Sequence, residues 1–157
     1  MKYIVTGGAG FIGSHLVDFL LDNGHQVLAL DNLSTGKKAH INPKAKFVKA
    51  DIRDFSKIKK HFVGVHTVFH AAANAWVNES IDKPLLVHDI NVNGTLNVLE
   101  AARVGGVKKF VFCSSCAVYG DQKFLPVRES QEPHPKSPYG LHKLIGEKYV
   151  QLYAELF

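Results

Sequence analysis

The chain is short of the residues that mark secreted, membrane-spanning and metal-holding proteins. Its 157 residues include two cysteines, one methionine and one tryptophan. Two cysteines cannot staple a small extracellular scaffold, and so few of them fit a reducing compartment, which makes a cytoplasmic location the expectation. No apolar run approaches the roughly 20 residues that cross a bilayer. Met1 leads straight into the strand pattern Tyr3-Ile4-Val5-Thr6, without the basic and then apolar stretch of an export leader. No membrane partner is therefore expected. Clustered charge is also missing: the formal net charge is +5, but the basic residues are scattered as Lys37-Lys38, Lys57 with Lys59-Lys60, and Lys108-Lys109. Without a basic helix face or an interleaved aromatic platform, the pattern speaks against nucleic acid. Metal-ligand spacing is absent as well. The chain has nine histidines, yet none pairs as H-x-x-x-H on a helix with an acidic companion. His66 and His70 flank a strand-like Thr67-Val68-Phe69 that would hold them about 13 Å apart, so no metal is expected. Cys113 and Cys116 have the C-x-x-C spacing of redox motifs. They close a strand, however, rather than open the helix that such motifs use to activate a thiol, so packing is their expected role.

What remains is an ordinary globular composition, 46% hydrophobic and 21% charged. The length suits one domain, enough to bury roughly two thirds of the surface that the unfolded chain exposes. The most telling stretch is Gly7-Gly8-Ala9-Gly10-Phe11-Ile12-Gly13, directly after the first strand pattern and opening an amphipathic helix. A strand that turns sharply into a helix whose free N–H groups face a pyrophosphate needs glycine wherever a side chain would block turn, phosphate or strand-to-helix contact. Gly7, Gly10 and Gly13 hold that spacing. Gln26-Val27-Leu28-Ala29-Leu30 reads as a second strand ending at Asp31, close to the roughly 20-residue offset at which a carboxylate holds the ribose hydroxyls of a dinucleotide. Such a carboxylate would repel a 2′-phosphate, so NAD rather than NADP is the expected cofactor.

Strand and helix periods then alternate along the chain. A first helix runs from Phe11 to about Asn23, where Gly24 stops it, and a polar turn follows the second strand. Lys46 to Ala50 reads as a third strand, followed by a short helix capped by Asp54 or Ser56. A fourth strand, His66 to His70, empties into Ala71-Ala72-Ala73, small residues that let a flat ring or backbone approach closely. A longer helix is predicted from about Pro84 to the Gly105-Gly106 stop, then a fifth strand from Lys108 to Cys113 and a last helix from Pro138 to the terminus. This rhythm predicts an α/β fold: a doubly wound parallel sheet, Rossmann-type, with helices on both faces.

Tyr139 and Lys143 stand four residues apart on the last helix, hence on one face. A phenol titrates near 10, and its use as a base at neutral pH asks for roughly 4 kcal/mol of preferential stabilisation of the phenolate, which a nearby ammonium helps to supply. By itself Tyr-x-x-x-Lys is common on helices. Its company is Ser115, just past the fifth strand, at the sheet edge where open α/β folds bind ligands.

These motifs, with Asp31-Asn32-Leu33-Ser34, Asp51-Ile52-Arg53, His70-Ala71-Ala72, Asn91-Val92-Asn93-Gly94-Thr95, Ser114-Ser115-Cys116-Ala117-Val118-Tyr119-Gly120 and Ser137-Pro138-Tyr139-Gly140 to Lys143, span the whole chain. Together they resemble the extended short-chain dehydrogenase/reductases and, among them, the nucleotide-sugar epimerases of the UDP-glucose 4-epimerase kind. The resemblance implies that Phe11 and Ile12 lie by the pyrophosphate and that Asp31, Asn32, Ser34 and Gly36 surround the adenosine ribose. It implies that Asp51 and Ile52 flank the adenine, that Ala71 to Ala75, with Ala71, Ala72 and Ala73 foremost, line the cofactor path, and that Asn91 reaches cofactor or substrate. Tyr139 would be the base, Lys143 its electrostatic partner and cofactor-ribose ligand, and Ser115 the hydrogen-bond partner of the reacting hydroxyl, with Ser115 and Tyr139 both touching substrate.

The implied reaction is NAD-dependent inversion of a UDP-hexose at C4, UDP-glucose to UDP-galactose, through a 4-keto intermediate. Ala75 falls where some epimerases place a lysine near the cofactor, which leaves fewer protein contacts to it. Cys116-Ala117 falls where 4,6-dehydratases carry an Asp-Glu pair, which argues for epimerase over dehydratase. UDP-N-acetylhexosamine and uronate epimerases, a dehydratase, and a non-catalytic NAD-binding module stay open as alternatives, the last disfavoured because a sensor has no use for Ser115, Tyr139 and Lys143. Family members run to roughly twice this length. Residues 1–157 are therefore expected to be the NAD-binding Rossmann domain alone, with the C-terminal substrate-binding domain absent. Apolar residues on the two longest helices, among them Leu86, Val87, Ile90, Leu144, Ile145, Tyr149, Leu152 and Tyr153, exceed what one sheet face needs. The family pairs these helices across a two-fold axis, so the resemblance implies a homodimer through helices 84–105 and 138–157.

Overall fold

A computed structural model describes residues 1–157 and places strand β1 (Lys2–Thr6) at the centre of a five-stranded parallel sheet. The order is β3 (Lys46–Lys49), β2 (Gln26–Asp31), β1, β4 (Thr67–His70), β5 (Lys109–Phe112). β1 pairs with β2 on one side and β4 on the other, with Thr6 opposite both Leu30 and His70. The chain winds outward to β3, returns, and continues through β4 to β5, so the direction of winding reverses between β1 and β4. The carboxyl ends of strands flanking such a reversal leave a crevice that the helices cannot cover.

Central strands buried on both faces read as continuous apolar runs, and alternate residues serve opposite cores. Ile4, Leu28, Leu30 and Val68 face one layer, filled by Ile58 and Phe62 after β3 and by Val98 and Ala101 of α5 (Gly94–Val104). Val5, Val27 and Ala29 face the other, filled by Val17 and Leu20 of α1 (Phe11–Asp22). The short α2 (Phe55–Ile58) is capped by Asp54, whose carboxylate accepts from the Lys57 N–H. The last helix, α6 (Pro138–Leu156), starts on a Ser137 cap and crosses β5, where a Cβ on Gly146 would sit 2.5 Å from Phe112. The doubly wound parallel sheet with helices on both faces is thus the architecture present.

Two elements differ from the expectation. Periodicity predicts one helix from Pro84 to Gly105, but the structure divides it into α4 (Pro84–His88), a wide π-turn over Asp89–Asn93, and α5. An additional helix, α3 (Val77–Asp82), precedes it. A six-residue helix with a mixed pattern carries too few turns to show a period, and the wide turn, whose Asn91 bonds Asn74 across 17 positions, leaves no mark in the local apolar pattern.

Candidate active site

The glycine loop lies at the mouth of the crevice. Gly7 has φ of +71°, and a Cβ there would meet the Ala72 backbone at 2.8 Å; a Cβ on Gly13 would lie 2.1 Å from the Gly7 carbonyl. The chain can therefore bend from β1 into α1, and pass under the 71–73 segment, only without side chains at those positions. Gly10 supplies the extended N-cap residue of α1, whose first turn has no side-chain cap, so its leading N–H groups are free to face an anion. Phe11 and Ile12 are mostly exposed on that turn, and Gly13 is buried against the loop.

Asp31 ends β2 as expected, 8% exposed. One carboxylate oxygen accepts from Ala9 N at 3.0 Å and the other from Leu33 N at 2.7 Å. Leu33 turns the chain with φ of +62°, and Gly36 packs where a Cβ would lie 2.9 Å from Ala9. The 31–36 turn is thereby tied to the glycine loop.

Below them lies a cavity of about 400 Å³. Gly7, Gly10, Asp31, Asn32 and Ser34 form one side, Asp51 and Ile52 the far end, and Ala71, Ala72 and Ala73 the other side. Phe11, Ile12, Gly13, Gly36 and Asn91 support this space from behind or beside it rather than line it. Asn74, within the 71–75 segment expected along the cofactor path, lines it too, as do Arg53, Glu79, Leu86 and Ile90, to which no cofactor role was assigned from the sequence. Arg53 grips Asp51 with Nε at 3.0 Å and Nη2 at 2.9 Å, Asn32 donates to the same carboxylate at 2.9 Å, and Arg53 also reaches Asp89 at 3.5 Å. The guanidinium beside Asp51 holds its carboxyl well below the usual carboxylate range. Leu86 and Ile90 are four residues apart, a spacing that reads equally as a partner face; the fold turns both toward the cavity. Val87, also assigned to a partner surface, is fully buried in the chain's own interior.

Asn91 is 3% exposed, and its amide is spent on Asn74, accepting from the backbone N–H at 2.8 Å and donating to the carbonyl at 2.9 Å. It shapes the cavity wall through Asn74. Glu79 accepts from the Asn74 side chain at 3.0 Å.

The Tyr139, Lys143 and Ser115 group stands outside the cavity lining, past the end of β5. Lys143 is 5% exposed, and its ammonium donates to the Cys113 carbonyl at 2.7 Å, 4.8 Å from the Phe112 ring centroid and 6.0 Å from that of Tyr139. Burial pulls its pKa down to about 8, so the group is still largely a cation at neutral pH. Tyr139 is 9% exposed, and its backbone N–H donates to Ser80 Oγ at 3.1 Å, next to the cavity residue Glu79. Ser115 caps a short 3₁₀ turn over Cys116–Val118, its oxygen accepting from Ala117 N at 3.2 Å, which leaves its hydroxyl proton free to donate. A Cβ on Gly140 would lie 2.5 Å from the Ala117 carbonyl, so the first turn of α6 is pressed against the turn that Ser115 opens. Cys113 is half-buried and Cys116 exposed, both as free thiols. No helix is long and apolar enough to cross a membrane.

The space and its donors fit a dinucleotide: a glycine cradle that a Cβ would fill, free helix N–H groups, and a carboxylate at the end of β2. Comparison with known proteins agrees with this fit. The model of the NAD dependent epimerase/dehydratase family matches residues 3–157. A provisionally named UDP-glucose 4-epimerase of Methanocaldococcus jannaschii is 52% identical over 156 residues, which is 98% of this chain and 51% of that protein. The structure of UDP-glucose 4-epimerase from Thermotoga maritima with UDP-glucose superposes with a TM-score of 0.97 at 42% identity, covering 100% of this chain and 52% of that one. The structure of a UDP-N-acetylglucosamine 4-epimerase from Methanobrevibacter ruminantium gives 0.93 at 37% identity, covering 99% and 51%. The chain spans about half the length of these relatives.

Proposed function

The chain belongs to the NAD dependent epimerase/dehydratase family, and on that premise we propose that it is the NAD-binding half of a nucleotide-sugar 4-epimerase acting on UDP-glucose and UDP-galactose. The observation that carries the chemistry is the buried Lys143 ammonium, anchored to the Cys113 carbonyl on the same helix face as Tyr139. Gly7, Gly10 and the first turn of α1 would hold the pyrophosphate, Asp31 and Asn32 the adenosine ribose, and Asp51 and Ile52 the adenine. NAD, when bound, supplies a reversible hydride acceptor for the sugar carbon. Tyr139 takes the proton of the 4-hydroxyl through its phenol oxygen, and Lys143 is the positive charge available to that oxygen. The Ser115 hydroxyl donates to the reacting sugar oxygen and fixes its direction. Protonation by Tyr139 in the reverse direction returns the hydroxyl after the ketone has turned its other face.

The sugar and uridine need holding for this to be fast, since positioning supplies several kcal/mol of the barrier reduction, about 7–11 at best. Residues 1–157 form the dinucleotide domain in this reading, and the substrate-binding domain lies outside them. Exposed Leu85, Leu141 and Leu152 on α4 and α6 support a homodimer through helices 84–105 and 138–157, which light scattering at tens of micromolar checks by mass. The deciding experiment is calorimetric titration of the purified 157 residues with NAD, alongside coupled assays with UDP-glucose, UDP-galactose and UDP-N-acetylglucosamine. NAD binding without interconversion is expected. Turnover by these residues alone would mean that the substrate site lies within them, and faster interconversion of UDP-N-acetylglucosamine by the full-length enzyme would move the specificity to the acetylated sugars.

A further inference from the structure

His70 is the largest polar side chain with no exposure at all, and no step above uses it. Its ring joins two walls of the cavity. Nδ1 lies 2.6 Å from Thr6 Oγ1 and Nε2 lies 2.9 Å from Thr95 Oγ1. The proton positions follow from the outer members of the chain of bonds. Thr95 Oγ1 gives its proton to the Asn91 carbonyl at 2.6 Å, so toward His70 it accepts, and Nε2 carries the ring proton. Nδ1 is then the acceptor, and Thr6 Oγ1 donates to it while accepting from Ala72 N at 3.2 Å. Every hydroxyl and ring proton in the line is used, and all bonds point one way.

The ends of that line are cavity residues or touch them. Thr6 immediately precedes Gly7, Ala72 lines the cavity, and Asn91 sits in the wide turn between α4 and α5 with its side chain clamped on Asn74. The Thr95 hydroxyl binds the Asn91 carbonyl within this wide turn. From this geometry we propose that His70 is a positioning residue for the cofactor: as a neutral, singly protonated imidazole it sets the distance between the glycine-loop and 71–73 side of the cavity and the Asn74–Asn91 side. Burial among uncharged groups, with Lys143 as a further repulsive charge, pushes the imidazole down to about 3, consistent with a ring that stays neutral. The inference rests on the proposed NAD site.

The test compares NAD affinity by calorimetry for wild type, His70→Phe, His70→Gln, Thr95→Val and a control, Val98→Ala. The control thins the same core without touching the polar line. Leaving buried hydroxyls unpartnered in His70→Phe, or the imidazole N–H unpartnered in Thr95→Val, is expected to raise the NAD Kd about tenfold or more. A glutamine amide carries a donor nitrogen and an acceptor oxygen about as far apart as the ring nitrogens and should stay within about threefold of wild type, whereas Val98→Ala should lower stability and leave the Kd unchanged. Nitrogen-15 spectra of the imidazole should show the Nε2–H tautomer from pH 5 to 8. If His70→Phe does not fold, Thr95→Val against Val98→Ala decides. Folded His70→Phe or Thr95→Val protein that binds NAD as the wild type does would overturn the inference alone. A wild-type chain that binds no NAD would overturn the proposed function and this inference with it.

Discussion

Acidification from pH 8 to pH 4.5 should cost the folded chain about 3 kcal/mol at His70 alone. The unfolded chain protonates this histidine as pH falls through 6.5, while the folded chain holds it neutral down to about 3. Between those values the unfolded state binds more protons, so stability is full above 6.5 and declines as pH falls. At pH 4.5 the unfolded group is about 2 pH units below its pKa, and RT times the logarithm of roughly 100 gives about 2.7 kcal/mol. The figure hardly depends on the folded value, provided that value lies well below 4.5. Other groups act in the same window: burial also lowers His61 and His142, and at the acid end the unfolded chain begins to protonate Asp51 and Asp54, which the folded chain holds ionised beside Arg53 and Lys57. His70→Gln isolates the contribution, because a glutamine keeps donor and acceptor but cannot titrate. Urea unfolding of both proteins at pH 8 and 4.5, at one ionic strength, should show the wild type losing about 3 kcal/mol more than the variant. Equal losses would mean that folded His70 accepts a proton, and the one-way line of hydrogen bonds would then be wrong.

Lys143 is a buried charge held at a cost at neutral pH. Its pKa falls from 10.5 to about 8 on burial, so Lys143→Met should raise the free energy of urea unfolding at pH 7 by up to about 3 kcal/mol. The wild type should gain stability from pH 8 to 10.5, where the unfolded chain binds the extra proton, and the variant should not; a variant less stable throughout would refute this. Gly13→Ala forces a Cβ to 2.1 Å from the Gly7 carbonyl and should destabilise by about 3 kcal/mol or more, read as lost cooperative unfolding or insolubility. NADP should bind at least about tenfold more weakly than NAD at matched ionic strength, since in the proposed site the buried Asp31 carboxylate would meet the 2′-phosphate; tighter NADP binding in the same titration would overturn that placement of Asp31.

The alternation of strands and helices, the glycine loop, the carboxylate at the end of β2 and the Tyr139–Lys143 pair were all legible in the linear chain because their chemistry is local. A positive φ demands glycine, a strand declares itself by its apolar run, and four residues make one helical face. The structure then placed Gly7, Gly10 and Asp31, to which the spacing had pointed, around one cavity with Asn32 and Asp51, to which only the family resemblance had pointed. What no window of sequence could reveal are the partnerships across long separations. Thr6 meets His70 across 64 positions and His70 meets Thr95 across 25, because β1 and β4 are neighbours in the sheet while α5 packs over them. Read along the chain, His70 is a histidine at a strand end and Asn91 a polar residue in a helix. Leu86 and Ile90 offer the same i, i+4 stripe to a cofactor, a core or a partner. Sheet order alone decides which of these each side chain meets, and with it the turn into which Asn91 is drawn and the identity of the residues that brace the cavity.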